Sequence, residues 1–264
     1  MNFSIYQSSR IGGRKYNQDR VAHAYTGEAL LLVLADGMGG HLHGEIAAQT
    51  AIHMYMQAFA QVAHPRVGEP VAFLQDVMQF SHDTILKYAV DHNLPSNPGT
   101  TCVVALVQDG QVYWAHAGDS RLYLMRNKEL LPLTHDHSLV QQWADWGILA
   151  QEEVRTHPDR NKITNCLGGV PTMFFSESPP SIPVQQGDVL LLCSDGLWGP
   201  LDETVMAAGL DSGALPPAVD ALIAEAIQRD GPSADNTTAL VARIGDGEES
   251  HPAEEVICNV LEYR

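Results

Sequence analysis

Leu30, Leu31, Leu32, Val33 and Leu34 form an unbroken apolar run that ends in Asp36-Gly37, and Val189 to Cys193 repeats the pattern before Ser194-Asp195-Gly196. An apolar run without alternation, too short for a helix, is the pattern of a strand buried on both faces. A carboxylate at the mouth of such a strand is costly unless something positive pairs with it. After Asp36 come Gly37, Gly39, Gly40 and Gly44, and glycines let the backbone turn sharply and approach a ligand closely. One carboxylate beside a bared carbonyl suits a hard cation such as Mg2+ or Mn2+. A tight strand-to-helix turn with an Asp cap accounts for the same stretch equally well, so the decision rests on whether other segments supply more carboxylates.

The remaining segments alternate between strand and helix patterns without forming βαβ units. Phe3 and Ile5 open a first strand ending near Gly12-Gly13, and a polar run, Arg14-Lys15-Tyr16-Asn17-Gln18-Asp19-Arg20, leads into a second at Val21–Tyr25. Apolar residues at helical spacing fill Glu45–Val62 and Val71 to about His92. Thr100–Val107 and Val112–Ala117 flank Asp109-Gly110, a hairpin signature, and Leu122–Met125 continues that strand or starts the next. A short helical pattern around Leu139 to Ile148 and a polar stretch, Glu152–Lys162, mark residues 137–170 as an insertion and candidate lid. Helices are expected near Leu201–Ala208 and Pro217–Gln228, and a last strand at Thr237–Ile244. Antiparallel hairpins with separate helices predict an α+β fold with helices packed outside the sheets.

Charge narrows the function classes. Asp and Glu number 32 against 15 Lys and Arg, a net charge of -17. Nucleic acid and anionic membrane surfaces are therefore poor partners. The four cysteines are scattered, with no CxxC pair, so neither a zinc ribbon nor a disulfide framework is expected. No signal-peptide core or membrane-length apolar run is present, and a cytoplasmic protein is the expectation. No lysine closes the glycine-rich loop, which excludes a nucleotide P-loop. His41, His43, His135 and His137 are expected to be structural or solvent-facing.

Carboxylates recur at strand ends: Asp36 and Asp195 follow buried runs, Asp119 closes a strand, and Asp19 and Asp235 precede others. Gathered at one rim, they would repel one another and hold their protons unless cations were bound. Two divalent ions there would match a known device for phosphate-ester hydrolysis.

In order, the motifs Arg14–Asp19 (RKYNQD), Asp36–Gly40 (DGMGG), Gly99-Thr100-Thr101, Gly118–Arg121 (GDSR), Ser194-Asp195-Gly196 and Asp235-Asn236 resemble those of the PP2C (PPM) metal-dependent protein Ser/Thr phosphatases, the bacterial branch in particular. The resemblance implies a sandwich of two antiparallel β-sheets flanked by α-helices on both outer faces. It implies hydrolysis of phosphoserine and phosphothreonine by a hydroxide bridging two metals, in line and without a phosphoenzyme. Asp36 would bridge two tightly bound Mn2+ or Mg2+ ions and the Gly37 carbonyl would bind one. Asp195 and Asp235 would hold the other, and Asp19 would act through water. Arg14 would grip the substrate phosphate, Asp119 would help hold a third, weaker ion, and Asn236 would support a ligand rather than bind metal. Two positions depart from the family pattern. Met38 stands where animal members have a proposed general-acid histidine, as is usual in bacterial members, and Gln18 stands where many have Glu. Residues 1–245 are expected to form one phosphatase domain, with 246–264 an acidic tail of unassigned role. The expected partners are phosphorylated proteins, substrates of a Ser/Thr kinase, acted on by a monomer. A catalytically silent phosphoprotein-binding module and a phosphatase of small esters are the alternatives.

Overall fold

The computed structural model describes residues 1–38, 43–175, 181–211, 213–245 and 256–261. Its strands are β1 (Phe3–Arg10), β2 (Arg20–Tyr25), β3 (Ala29–Ala35), β4 (Cys102–Gln108), β5 (Gln111–Ala117), β6 (Arg121–Arg126), β7 (Glu129–Pro132), β8 (Ser181–Pro183), β9 (Val189–Cys193), β10 (Thr237–Ile244) and β11 (Ile257–Val260). The helices are α1 (Gly44–Val62), α2 (Pro70–Asp91), α3 (Leu139–Asp145), α4 (Gln151–Val154), α5 (Asp195–Trp198), α6 (Glu203–Leu210) and α7 (Leu215–Asp230). Two antiparallel sheets result, ordered β1-β10-β9-β6-β7 and β11-β2-β3-β4-β5-β8. The α+β sandwich expected from the motifs is the architecture observed.

Side-chain alternation explains the unbroken apolar runs. On β3, Leu30, Leu32 and Leu34 point into the core between the sheets, while Leu31, Val33 and Ala35 point outward under α1 and α2. On β9, Leu190 and Leu192 join the same central core, and Val189, Leu191 and Cys193 pack beneath α6 and α7. The layers are therefore helix, sheet, sheet, helix. Each fully buried Leu or Val contributes about 1.5–3 kcal/mol relative to exposure, so the central strands anchor the molecule and their ends are held rigidly.

The strand near residue 122 is settled against continuation. β6 leaves the sheet of β5 and pairs with β9 in the other, Arg121 opposite Cys193. Gly118, at φ +106°, makes that crossing; a Cβ there would meet the Thr101 side chain at 2.6 Å. The expected helix at Leu201–Ala208 begins later, at Glu203, because Asp202 caps it by accepting from the Val205 N–H at 2.9 Å. In the tail, Ile257–Val260 adds to the edge of β2, with Cys258 opposite Ala24. Residues 246–255 and 262–264 of that tail lie outside the described residues, as do Gly39, Gly40 and His41 of the glycine-rich segment.

Candidate active site

Antiparallel pairing delivers the carboxylates to one rim. The register sets Arg20 opposite Ala35, Leu34 opposite Val103, Cys102 opposite Ala117, and Cys193 opposite both Arg121 and Ala239. Asp19, Asp36, Asp119, Asp195 and Asp235 each lie just beyond one of these strand ends, so they meet across both sheets. Asp36, Asp119, Asp195 and Asp235 line a cleft of about 530 Å³, with Arg14 at its wall and Met38, Ile163 and Cys166 beside them.

Local chemistry fixes each acidic group. Asp36 is locked through its backbone: its N–H donates to Thr101 Oγ1 at 3.0 Å, and its carbonyl accepts from the Thr101 N–H at 2.8 Å and Thr100 Oγ1 at 2.9 Å. Asp19 is fully buried, and its Oδ2 accepts from Ser194 Oγ at 2.9 Å and Thr238 Oγ1 at 2.6 Å. Asp119 is held from behind, where Trp198 Nε1 donates to its carbonyl at 2.9 Å. Arg121 lies 3.6 Å over the same Trp198 ring and grips Asp136 with two bonds of 2.8 and 2.7 Å. Arg14 Nη2 pairs with Asp235 Oδ2 at 2.6 Å.

The electrostatics are those of crowded like charges. Burial, then Asp235 and Asp19, push Asp195 up to about 7. Burial lifts Asp19 to about 6 against the hydroxyls of Thr238 and Ser194. Asp36 is raised well above the carboxylate range by burial, then by Asp19, Asp195, Asp119 and Asp235 together. Asp119 is raised likewise, by burial, then Asp195 and Asp136.

Whether this set fits a cation is decided by its oxygens. Asp19 Oδ1 and Asp195 Oδ1 are buried with no hydrogen-bond partner, an expensive arrangement that a cation would relieve. The donors are carboxylate oxygens, the hard ligands that Mg2+ and Mn2+ prefer. Among the described residues no three acidic, imidazole or thiol side chains already form a closed ligand group. The residues fit divalent ions, provided the carboxylate side chains readjust.

Gly196 joins the two halves of the rim. A Cβ on it would lie 2.1 Å from the Asn236 carbonyl oxygen, and the backbone beside Asp235 cannot yield without moving that acid. Gly196→Ala is expected to destabilise the fold by about 2 kcal/mol or more, as overpacking against backbone does. Denaturant melts of the variant check this.

Several participants escaped the sequence reading. Thr238, Trp198 and Asp136 were not singled out, although a threonine opening the apolar run of β10 beside Ser194 is a polar group at a strand's inner end and marks the rim. Asn236 is engaged at both ends of its side chain: its Nδ2 donates to the carbonyls of Ile11 and Tyr16 at 2.9 and 3.0 Å, and its Oδ1 accepts from the Gln18 N–H at 2.8 Å. Gln18 itself donates to Glu45 Oε2 at 3.0 Å. Among the described histidines, His43 and His135 are open to solvent and His137 is buried against His116, 4.3 Å between ring centres; none lines the cleft.

A helix-flanked β-sandwich whose rim carries a cluster of buried carboxylates defines a class of protein with an acidic cleft suited to hard cations. Comparison with known proteins gives that class its family. A family model described as protein phosphatase 2C matches residues 6–225. The serine/threonine phosphatase stp of Listeria monocytogenes serotype 4b (strain F2365) is 34% identical over 183 residues, covering 69% of this chain and 72% of the relative. A solved S. agalactiae serine/threonine phosphatase superposes with a TM-score of 0.83 at 28% identity, over 92% of this chain and 99% of that one. The solved catalytic domain of serine threonine protein phosphatase PstP, in complex with two manganese ions, superposes with a TM-score of 0.77 at 30% identity, over 93% of this chain and 99% of that one. The chain belongs to the protein phosphatase 2C family.

Proposed function

We propose a working scheme for this serine/threonine protein phosphatase: metal-dependent hydrolysis of phosphoserine and phosphothreonine by water, in line and without a phosphoenzyme. The observation that carries it is the rim of carboxylates with bare buried oxygens, facing a cleft with an arginine at its mouth. Asp36, the Gly37 carbonyl, Asp195 and Asp235 would hold two Mn2+ or Mg2+ ions, Asp19 would act on them through water, and Asp119 with Asp195 would hold a third, weaker ion. Bound there, such ions neutralise the acids, polarise the phosphoryl group and make the attacking water more acidic.

The chain's own groups support water as the nucleophile. Cys166 is the thiol lining the cleft, and burial pushes it up to about 11, so it stays protonated and unreactive at neutral pH. Met38 has no proton to give a leaving alkoxide, so that proton comes from another group, and the Asp119 side of the cleft is our candidate. Arg14 offers the fork geometry that suits a phosphate. Residues 1–245 act as one domain, with 137–170 a flap that selects among phosphoproteins. Ile163 and Val170 of that segment line the cleft, which supports contact with substrate. Among the described residues no helix is long and apolar enough to cross a membrane; a monomer acting on cytoplasmic phosphoproteins of a Ser/Thr kinase is the reading adopted.

Phosphate release from a phosphopeptide panel, in EDTA and in Mn2+, tests the scheme. Release only with Mn2+ supports it. No release on any substrate favours a silent phosphoprotein-binding module, and release from small esters alone favours a small-ester phosphatase. Arg14→Ala is expected to raise KM for phosphopeptides about tenfold, the scale of one charged hydrogen bond, with a smaller change in kcat. Substitutions in Glu152–Lys162 are expected to reorder peptide preference while sparing p-nitrophenyl phosphate. Equal losses on both substrates would remove the flap's selecting role.

A further inference from the structure

Arg14 and Asp235 are 221 residues apart, yet Nη2 and Oδ2 meet at 2.6 Å. The other oxygen of Asp235, Oδ1, accepts from the Asn236 N–H at 2.8 Å. Both oxygens of this acid are therefore engaged by the chain, in contrast to the bare Oδ1 atoms of Asp19 and Asp195. The scheme above, on which this inference rests, assigns Asp235 to a cation and Arg14 to the substrate phosphate. The two roles meet at Oδ2: a divalent ion seated on that oxygen would repel the guanidinium now bound to it, and Nη2 is committed to Asp235 rather than to a phosphate.

We propose that Arg14 and a divalent cation compete for Asp235 Oδ2, so that cation loading releases Arg14 to receive the phosphate. The exchange is confined to side chains. The backbone around Arg14 is fastened to the Asp235 loop by the Gly13 N–H on the Ala234 carbonyl at 2.8 Å and by the Asn236 amide on Ile11 and Tyr16. The pair is half open to solvent, with side-chain exposures of 51% and 33%. Pairs so exposed are weak, and an ion can displace the arginine without disturbing the core. The arginine then remains beside the site with one partner fewer and faces the cleft it already lines. By linkage, whatever the cation does for phosphate affinity through Arg14, phosphate returns to the cation. Arg14 thus acts as a competitor for the metal site when no cation is bound and as a phosphate ligand once one is.

The test is a double-mutant cycle on Mn2+ binding, read by titration calorimetry without substrate, in wild type, Arg14→Ala, Asp235→Asn and the double variant. Competition predicts that Arg14→Ala binds Mn2+ about two- to fivefold tighter when Asp235 is present, the scale of a half-exposed ion pair, and shows no gain in the Asp235→Asn background. An equal gain in both backgrounds would reduce Arg14 to a general charge effect, and weaker or unchanged binding in Arg14→Ala would overturn the competition outright. If Asp235→Asn abolishes binding, the guanidinium 15N resonances of Arg14 decide. On adding Mg2+ to wild type they are expected to move toward their positions in Mg2+-free Asp235→Asn; resonances that stay put overturn the proposal. A wild type that binds no Mn2+ would overturn the metal scheme itself, an outcome distinct from each of the others.

Discussion

Asp36→Asn is expected to lower Mn2+-dependent hydrolysis of p-nitrophenyl phosphate by about a thousandfold or more, which corresponds to about 4 kcal/mol of lost transition-state stabilisation. The same variant is expected to melt at a higher temperature than wild type in EDTA. The two effects have one cause. Asp36 feels the charge of Asp19, Asp195, Asp119 and Asp235 together, so it sits at the electrostatic centre of the rim. An amide keeps the size of the carboxyl group but cannot ionise: it offers a cation no charge, and in EDTA it removes the cost of holding a proton on a buried acid that is ionised in the unfolded chain. The backbone bonds to Thr100 and Thr101 do not involve the side chain, so the loop should hold its shape. Near wild-type turnover at saturating Mn2+ would remove Asp36 from the site, and an unchanged or lower melting temperature in EDTA would contradict the charge argument.

The strand ends were legible in the sequence because burial on both faces leaves an uncommon signature. Leu30–Leu34 and Val189–Cys193 have no polar alternation, and an aspartate following each must lie at a rim. The partition of strands between sheets was not legible. β5 and β6 are separated by Gly118-Asp119-Ser120, and local pattern cannot tell a turn within one sheet from a crossing to another. The short elements β7, β8 and α5 carry too few residues for a period to emerge. β11 was missed for a different reason: its partner, β2, lies over two hundred residues upstream, and a strand that adds to an edge needs no continuous apolar run of its own. At the site, residue types and order announced the carboxylates, while their supports went unseen. Thr238 on Asp19, Trp198 behind Asp119 and Arg14 on Asp235 all depend on long-range contacts, which no local spacing encodes.

Stability in EDTA is expected to fall as pH rises through about 7, the value to which Asp195 is raised, and Mn2+ is expected to abolish most of that slope. Asp195, at about 7, and Asp36 and Asp119, raised well above 3.8, keep their protons in the folded chain at pH values where the unfolded chain has lost them. The native state then binds more protons than the unfolded state, so raising the pH draws the equilibrium toward unfolding. At lower pH a second set of groups opposes this. Burial lowers His23 to about 4 and His137 to about 3, and it also lowers His116. Each must stay neutral in the fold, so acid favours the unfolded chain, where these rings take up protons near 6.5. Above that value the histidines are neutral in both states and the carboxylates alone set the slope. A cation that neutralises the rim removes the reason to retain protons there. Thermal melts at stepped pH, in EDTA and in Mn2+, read both effects. A flat or rising profile in EDTA would mean that burial and mutual repulsion do not hold protons on these carboxylates. A slope that survives saturating Mn2+ would mean that the ions bind somewhere other than this rim.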